Sequence, residues 1–365
     1  MPVDDDRPRR PTLDTIAHAV GVSRATVSNA YNRPDQLSAE LRDRILGAAR
    51  SLGYPGPNPV ARGLATRRAG AIAFVVGTPL AGAFSDPALS VTLDGLISTV
   101  DGHEHSLVLM RGERGGPRRE AVARLRADVV VAYSLADDVP ALAAVRRRGL
   151  PLVVVDQPAV PWAPRVEIDD ERGGRLAAEH LVALGHRWFG VLAFPFHPDG
   201  GEGPADHGRR ATARYRISRD RLTGYLSVLA AAGIEPGAMP VWEAPASSRE
   251  AGRRGARWLL TRSPRPTALL CMSDELALGA VQGARHLGLR VPEEVSVVGF
   301  DDTPAASGGD PPLTTIRQPL AEKGRRAGEL ALAALAGDHE HRPFILPVWL
   351  VPRATSGPPR FPLHH

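Results

Sequence analysis

Residues 12–66 read TLDTIAHAVGVSRATVSNAYNRPDQLSAELRDRILGAARSLGYPGPNPVARGLAT, the stretch that decides the fold of the amino-terminal part of the chain. Thr12 stands where an N-cap would, and Leu13, Ile16, Ala17 and Val20 recur at helical spacing until Gly21 ends the run. Gly21-Val22-Ser23 is a tight turn whose serine caps a second helix, Arg24 to Tyr31. Val27 and Ala30 of that helix point inward; Arg24, Ala25, Ser28 and Asn29 point out. A short helix, a glycine turn and a second helix with a polar outer face make a helix-turn-helix, whose second helix enters the major groove of DNA. Ser38 then caps a third helix with Glu40 in its first turn, and Leu41, Ile45, Ala48 and Leu52 are expected to close a three-helix core.

Working outward, the chain of 365 residues is too long for one ordinary domain, and 43% apolar content is enough for sizeable cores. No apolar run reaches membrane-spanning length, and the opening MPVDDDRPRR has no apolar stretch behind its charges, so a cytoplasmic protein is expected. The single cysteine, Cys271, excludes an internal disulfide and sits in the apolar run 268–272 as core filler. Net charge is +5, unevenly placed: 11 arginines against 7 acids in the first 70 residues, 34 basic against 33 acidic in the rest. The excess lies where the DNA-binding pattern lies, as neutralising phosphates requires. Lys323 is the only lysine.

Residues 1–11 read as a disordered tail, 12–56 as the headpiece and 57–69 as a linker with a short helix. From Ala71 onward strand-like runs (AIAFVVG, SLVLM, DVVVAY, LPLVVVD) alternate with helical stretches at 92–101, 117–126 and 140–148. A second series follows: helices at 172–184, 219–232, 249–262 and 275–286 alternate with FGVLAF, PVWEA, ALLCM and VSVVGF. Such alternation gives parallel sheets with crossover helices, here two open α/β lobes of Rossmann-like type. Ligands of such sheets bind outside the carboxyl ends of the strands, which places a site between the lobes. The segment 198–213, PDGGEGPADHGRRATA, reads as an insertion or flap near that cleft.

Six stretches in order resemble the lac-repressor (LacI/GalR) family of bacterial transcription regulators: the headpiece, Pro57–Leu64 (PNPVARGL), Glu179–His186 (EHLVALGH), Ser273–Gly279 (SDELALG), Val295–Asp302 (VSVVGFDD) and Leu313–Pro319 (LTTIRQP). The resemblance implies an all-α helix-turn-helix headpiece followed by an α/β, two-lobed, periplasmic-binding-protein-like core over 70–357, with 358–365 as a tail. The chain of the family crosses between lobes three times. Accordingly the first lobe is expected to take about 70–168 plus 302–317, and the second about 169–301 plus 318–357. The implied function is a repressor that binds a palindromic operator as a homodimer under control of a small-molecule effector. A solute-binding module of the same core fold is the alternative.

On DNA, Arg24 has the fork that suits guanine, Ala25 offers a methyl group, and Asn29 can bond adenine or a phosphate. Ser23, Thr26 and Ser28 are candidates for phosphate contacts that fix register, and Thr12 caps a helix whose N-terminus favours a phosphate. Residues 58–66 span little more than two helical turns, too short to be stable alone, so they need a partner. The resemblance makes this the hinge helix. Asn58 and Arg62 would lie at the DNA, Ala61 would let two copies meet, and Leu64 would wedge open a base step in the minor groove.

For the effector, Asp301 ends the strand 295–300 and Asp156 ends LPLVVVD, so both carboxylates sit at strand carboxyl ends. The resemblance puts Asp301 where the family accepts bonds from ligand hydroxyls and Arg221 where it grips ligand. Ser273 and Ser247 replace the asparagine and the stacking ring common in sugar-responsive members, and Trp242, Phe84 or Trp162 is the candidate alternative platform. Acceptors and a guanidinium donor suit a sugar or nucleoside. No cofactor and no metal is implied. The enzyme candidates, His197 with Asp199 and His207 at and on the 198–213 stretch, or Ser273-Asp274 with a histidine, lack a metal spacing, a GxSxG or a phosphate-binding loop.

Overall fold

The computed structural model describes residues 11–56, 68–80, 84–113, 115–235, 237, 239–338 and 342–359. The chain divides into two compact units, Met1–Ala69 and Gly70–His365. Asn58, Ala61, Arg62 and Leu64, most of the 57–69 linker, and the tails 1–10 and 360–365 lie outside the described residues.

The first unit holds α1 (Leu13–Val20), α2 (Arg24–Asn32), a tight turn at Pro34–Gln36 and α3 (Ala39–Ser51). Thr12 Oγ1 accepts from the Thr15 amide at 3.3 Å while Thr15 Oγ1 accepts from the Thr12 amide at 3.1 Å, a reciprocal capping box. Ser23 and Ser38 cap the other two helices by accepting from the amides of Thr26 and Leu41. Gly21, at φ 75°, ends α1 in the left-handed conformation that glycine adopts without steric cost. Ile16, Ala17, Val27, Ala30, Ile45 and Ala49 form the core, with Leu13, Val20, Leu41 and Ala48 packed at its edge. Leu52 departs from expectation. It is 41% exposed because it lies past the last turn of α3, where Gly53 reverses the chain and Tyr54 covers that end, its ring 6.1 Å from that of Tyr31.

In chain order the second unit begins β1 (Ala71–Val76), α4 (Pro87–Val100), β2 (Ser106–Met110), α5 (Arg119–Arg124), β3 (Val129–Tyr133), α6 (Pro140–Arg147), β4 (Leu152–Val155) and β5 (Arg165–Ile168). There follow α7 (Asp170–Ala183), β6 (Phe189–Ala193), β7 (Gly203–Pro204), α8 (His207–Ala211), α9 (Arg216–Ala231), β8 (Val241–Glu243), α10 (Arg249–Leu260) and β9 (Ala268–Cys271). The last elements are α11 (Asp274–His286), β10 (Ser296–Asp301), α12 (Pro304–Ser307), β11 (Thr314–Arg317), α13 (Leu320–Leu335), β12 (Pro343–Leu346) and β13 (Trp349–Val351). Two sheets result, in the orders β12-β5-β4-β3-β1-β2 and β13-β11-β10-β9-β6-β8-β7. The first is parallel throughout; in the second only the edge strands β7 and β13 run antiparallel. The central strands are buried on both faces, hence their unbroken Val, Ile, Leu and Ala runs.

The expected exchange of segments between lobes is corrected by the strand pairing. β11 pairs with β10, so 314–317 belongs to the second lobe rather than the first. β12 pairs with β5, and Ala327, Leu330 and Ala331 of α13 pack on Ile72, Phe74 and Val153, so α13 and β12 complete the first lobe. The chain then returns to the second lobe at β13. Helix α13 seats on α4 backbone to backbone. A Cβ on Gly324 would stand 1.8 Å from the Thr92 carbonyl oxygen, and one on Gly95 would stand 2.1 Å from that of Ala321.

The stretch 198–213 is folded onto the edge of the second sheet. β7 pairs with β8, and Arg209 bridges Asp199 at 2.7 Å to the buried Glu243.

Candidate functional site

On the headpiece the outer face of α2 presents Arg24 and Ala25 fully, with Thr26, Ser28 and Asn29 half-buried. Arg24 lies 3.8 Å from Asp14, and both side chains are about two-thirds exposed. Such a pair contributes little, so the guanidinium is free to turn to another acceptor. Asn29 has only a 3.5 Å contact to Gln36, whereas Ser28 accepts from Asn32 at 3.1 Å and the Ser23 and Thr26 hydroxyls share a bond at 2.8 Å. Arg24 and Asn29 are thus the least committed polar groups of the face. Ser23, Thr26 and Thr12 do cap work first.

In the core, the carboxyl ends of both sheets converge on a line of buried side chains that crosses from one lobe to the other. Lys323 Nζ, on α13, donates to Asp156 Oδ1 at 2.7 Å and to Gln318 Oε1 at 2.5 Å. Gln318 Nε2 donates to Asp301 Oδ1 at 2.5 Å, and Arg221 Nη1 stands 3.9 Å from that same oxygen. Arg221 Nε donates to Asp170 Oδ1 at 2.8 Å and Nη1 to the Met272 carbonyl at 2.5 Å, with the guanidinium 3.5 Å from the centre of the Phe300 ring. No side chain in this line has as much as a tenth of its surface exposed. Asp170 Oδ2 is buried without a hydrogen-bond partner, an acceptor held ready at a cost of about 1–3 kcal/mol.

The electrostatics follow from burial. Asp301 is pushed well above the usual carboxylate range by desolvation, against the pull of Arg221 and with Asp274 and Asp86 adding to the rise. Asp170 is raised by burial in spite of Arg221. Asp86, the N-cap of α4, is pushed up to about 6 by burial against the two amides that bond it. Tyr133 is raised by burial, with Asp86, Asp156 and Asp301 adding to the rise. Ser134, Asp156, Asp301 and Asp302 all have left-handed backbones at strand ends, with φ of 50°, 67°, 119° and 58°. Each such residue stores about 1–3 kcal/mol of strain, which the surrounding packing must hold.

Asp156, Arg221 and Asp301 are therefore brought together as the sequence suggested, and Asp301 caps no helix. Ser273 sits beside Met272 at the end of β9, but its hydroxyl caps α11 and bonds Ser247 at 2.9 Å. Trp242 is not in the cleft. Strand alternation turns it toward α10, where it packs against Gly255 and lies 5.2 Å from the Trp258 ring, tilted by 45° to it, while Glu243 takes the other face. Phe84 is 58% exposed ahead of Asp86, and Trp162 lines a separate cavity beneath Arg146. Lys323, Gln318, Asp170, Asp86 and Tyr133 were not anticipated. The one available signal was Lys323 itself, the only lysine in an arginine-rich chain.

The catalytic candidates have other work. Asp274 holds the amide and hydroxyl of Thr303 at 2.7 and 3.0 Å and the Thr315 hydroxyl at 2.5 Å; burial pushes its carboxyl up to about 7. Asp302 clamps Arg317 and Arg353 at 2.6 Å each. His197 bonds the Arg209 carbonyl at 3.1 Å. Among the described residues no group of three or more His, Cys, Asp or Glu could hold a metal ion, and no helix is long and apolar enough to cross a membrane.

Comparison with known proteins adds two family matches: residues 12–58 to bacterial regulatory proteins, lacI family, and residues 178–356 to a periplasmic binding protein-like domain. An HTH-type transcriptional regulator of Mycolicibacterium smegmatis is 41% identical over 98% of this chain and 100% of its own length. The HTH-type transcriptional regulator IpsA of Corynebacterium glutamicum is 38% identical over 95% of this chain and 98% of its own. Among solved structures, a lac repressor dimer bound to operator and an anti-inducer has a TM-score of 0.76 at 31% identity, covering 95% of this chain and 99% of that one. The complex of the regulator CelR with cellobiose has a TM-score of 0.69 at 30% identity, covering 95% and 100%.

Proposed function

Because the chain belongs to the lacI family of bacterial regulatory proteins, and is a transcriptional regulator rather than an enzyme, we propose that it is a cytoplasmic repressor. In this reading it binds a palindromic operator as a homodimer and answers to a small polyhydroxylated effector, a sugar or nucleoside, in the cleft.

One observation carries the effector half: the buried line Asp156, Lys323, Gln318, Asp301, Arg221, Asp170, in which acceptors and donors alternate across the two lobes. A hydroxyl group donates one bond and accepts others, so neighbouring hydroxyls match such a ladder where a simple anion or cation does not. Because both lobes supply groups, a ligand there changes the lobes' relative stability in open and closed arrangements. A regulator needs that difference to couple ligand to DNA. Similarity to a regulator solved with cellobiose supports the sugar class.

The DNA half rests on the exposed Arg24 and the half-buried Asn29 of α2, the least committed polar groups of that face, and on the lac repressor dimer, which was solved on operator. Arg24 reads guanine, Ala25 and Asn29 contact neighbouring bases, and Thr12, Ser23, Thr26 and Ser28 fix register on phosphates. The hinge helix proposed for Asn58, Ala61, Arg62 and Leu64, with Leu64 as its wedge, lies outside the described residues and rests on the family alone.

The deciding experiment is selection of bound DNA from a random pool by the full chain at stated salt, repeated with a panel of sugars and nucleosides. A recovered palindrome whose binding changes with one of them is the expected result. Recovery of no sequence under any condition would refute the regulatory reading and leave a solute-binding module.

A further inference from the structure

The second lobe carries a large cavity far from the cleft, at the amino-terminal ends of β6 and β8 rather than at their carboxyl ends. It has a volume of about 1020 Å³, within the upper range of small-molecule sites. Three guanidiniums line it, Arg187, Arg210 and Arg262, and among the described residues none has a carboxylate within salt-bridge distance. Arg187 Nη1 donates to the His186 carbonyl at 2.8 Å, Arg210 Nε to the Asp206 carbonyl at 3.1 Å, and Arg262 lies 4.1 Å over the Trp258 ring. Most of their N–H donors are therefore unused. Arg210 is half-buried, and its pKa is lowered by that burial, with Asp206 alone opposing. The two acids of the wall are turned to the backbone: Asp206 Oδ1 accepts from the Arg209 amide at 2.8 Å and Glu235 Oε1 from that of Gly237 at 3.3 Å. Trp188, 40% exposed, adds a flat apolar face.

A second cavity, of about 540 Å³ beside α6, shows the contrast. There two of the three arginines are paired with acids, Arg216 with Glu167 and Asp220 and Arg219 with Asp137, and only Arg146, 5.8 Å over the Trp162 ring, has no acid within salt-bridge distance among the described residues. Arginine forks left without acids, gathered in a concave wall next to an exposed indole, match one chemistry: phosphoryl oxygens for the forks and a planar ring for the tryptophan.

We propose that this cavity is a second ligand site of the second lobe, which binds a small phosphorylated molecule bearing a flat ring, as a nucleotide does. It is independent of the effector reading of the cleft. The test uses ATP with a metal chelator, titrated into the full chain by calorimetry and by fluorescence of Trp188 and Trp258. Saturable binding is expected, weakened about tenfold or more in the double variant Arg210→Gln/Arg262→Gln and unaffected by Arg221→Lys in the cleft. Pyrophosphate should bind more weakly than ATP and lose its binding in the same double variant, whereas Trp188→Ala should weaken ATP but not pyrophosphate. An unchanged thermal midpoint shows that a variant is folded, and the exposed single variant Arg262→Gln stands in if the double one is not. Absence of saturable binding, binding that survives the double variant, or adenosine binding as well as ATP overturns the proposal.

Discussion

Replacing Lys323 with methionine keeps the length and the packing of the side chain and removes only the ammonium. That group lies between Asp156 at 2.7 Å and Gln318 at 2.5 Å, in a place where the Lys323 and Asp156 side chains are 2% and 6% exposed. The substitution leaves the Asp156 carboxylate buried without its partner, and breaking a buried pair in this way costs about 3–5 kcal/mol. Lys323→Met should therefore be less stable than the parent by about 3–5 kcal/mol. Urea unfolding followed by tryptophan fluorescence measures this cleanly. All five tryptophans lie beyond residue 69, so the headpiece is silent. The double variant Lys323→Met/Asp156→Asn should recover most of the loss. A single variant as stable as the parent would refute the reasoning.

Three further expectations concern other parts of the molecule. Arg24→Ala should cost ~1–3 kcal/mol on the selected operator and much less on random DNA; equal losses on both would reduce Arg24 to a phosphate contact. Asp86→Asn keeps an N-cap for α4 but cannot ionise. The folded value of Asp86, about 6, is above its unfolded value, so the native state binds the extra proton and the parent loses stability as pH rises toward about 6. The asparagine variant should therefore melt higher than the parent above about pH 6, by ~1–3 kcal/mol, and the gap should close toward about pH 4. A gap that stayed constant with pH would be the contrary result. Arg209→Met removes the guanidinium that donates to both Asp199 and Glu243 and leaves Glu243, its side chain 2% exposed, with the Phe196 amide. A loss of about 2–4 kcal/mol, together with faster proteolysis of 198–213, is expected; unchanged proteolysis would show that β7 alone holds the segment.

The headpiece was legible almost residue by residue because its determinants are local. Thr12, Ser23 and Ser38 cap within three residues of themselves, and Gly21 ends a helix where it stands. The strands of both lobes were legible from apolar runs for the same reason. Which sheet a late strand joins was not, since Thr314–Arg317 and Pro343–Leu346 read alike until their partners, β10 and β5, are known. Half the cleft was visible as carboxylates at strand ends. Lys323 was hidden inside AEKGRR, which reads as a solvated face; only the backbone contact of Gly324 with α4 turns that side of α13 inward. Trp242 misled for a simple reason: an aromatic one residue from the end of a cleft strand is informative only once the parity of β8 is fixed.

The three crossings between lobes have a consequence for synthesis. Ile72, Phe74 and Val153 are made early, yet the helix that covers them contains Ala327, Leu330 and Ala331. During translation the first lobe must wait, its parallel sheet uncovered along one side, until about the last tenth of the polypeptide has emerged. Parallel pairing across such sequence separations is slow, and an apolar face left open meanwhile invites aggregation. The second lobe waits as well, for β13. Neither lobe is a unit of inheritance that a single cut could release: residues 70–168 expressed alone should be insoluble, and supplying 319–346 as a separate piece should be what restores them.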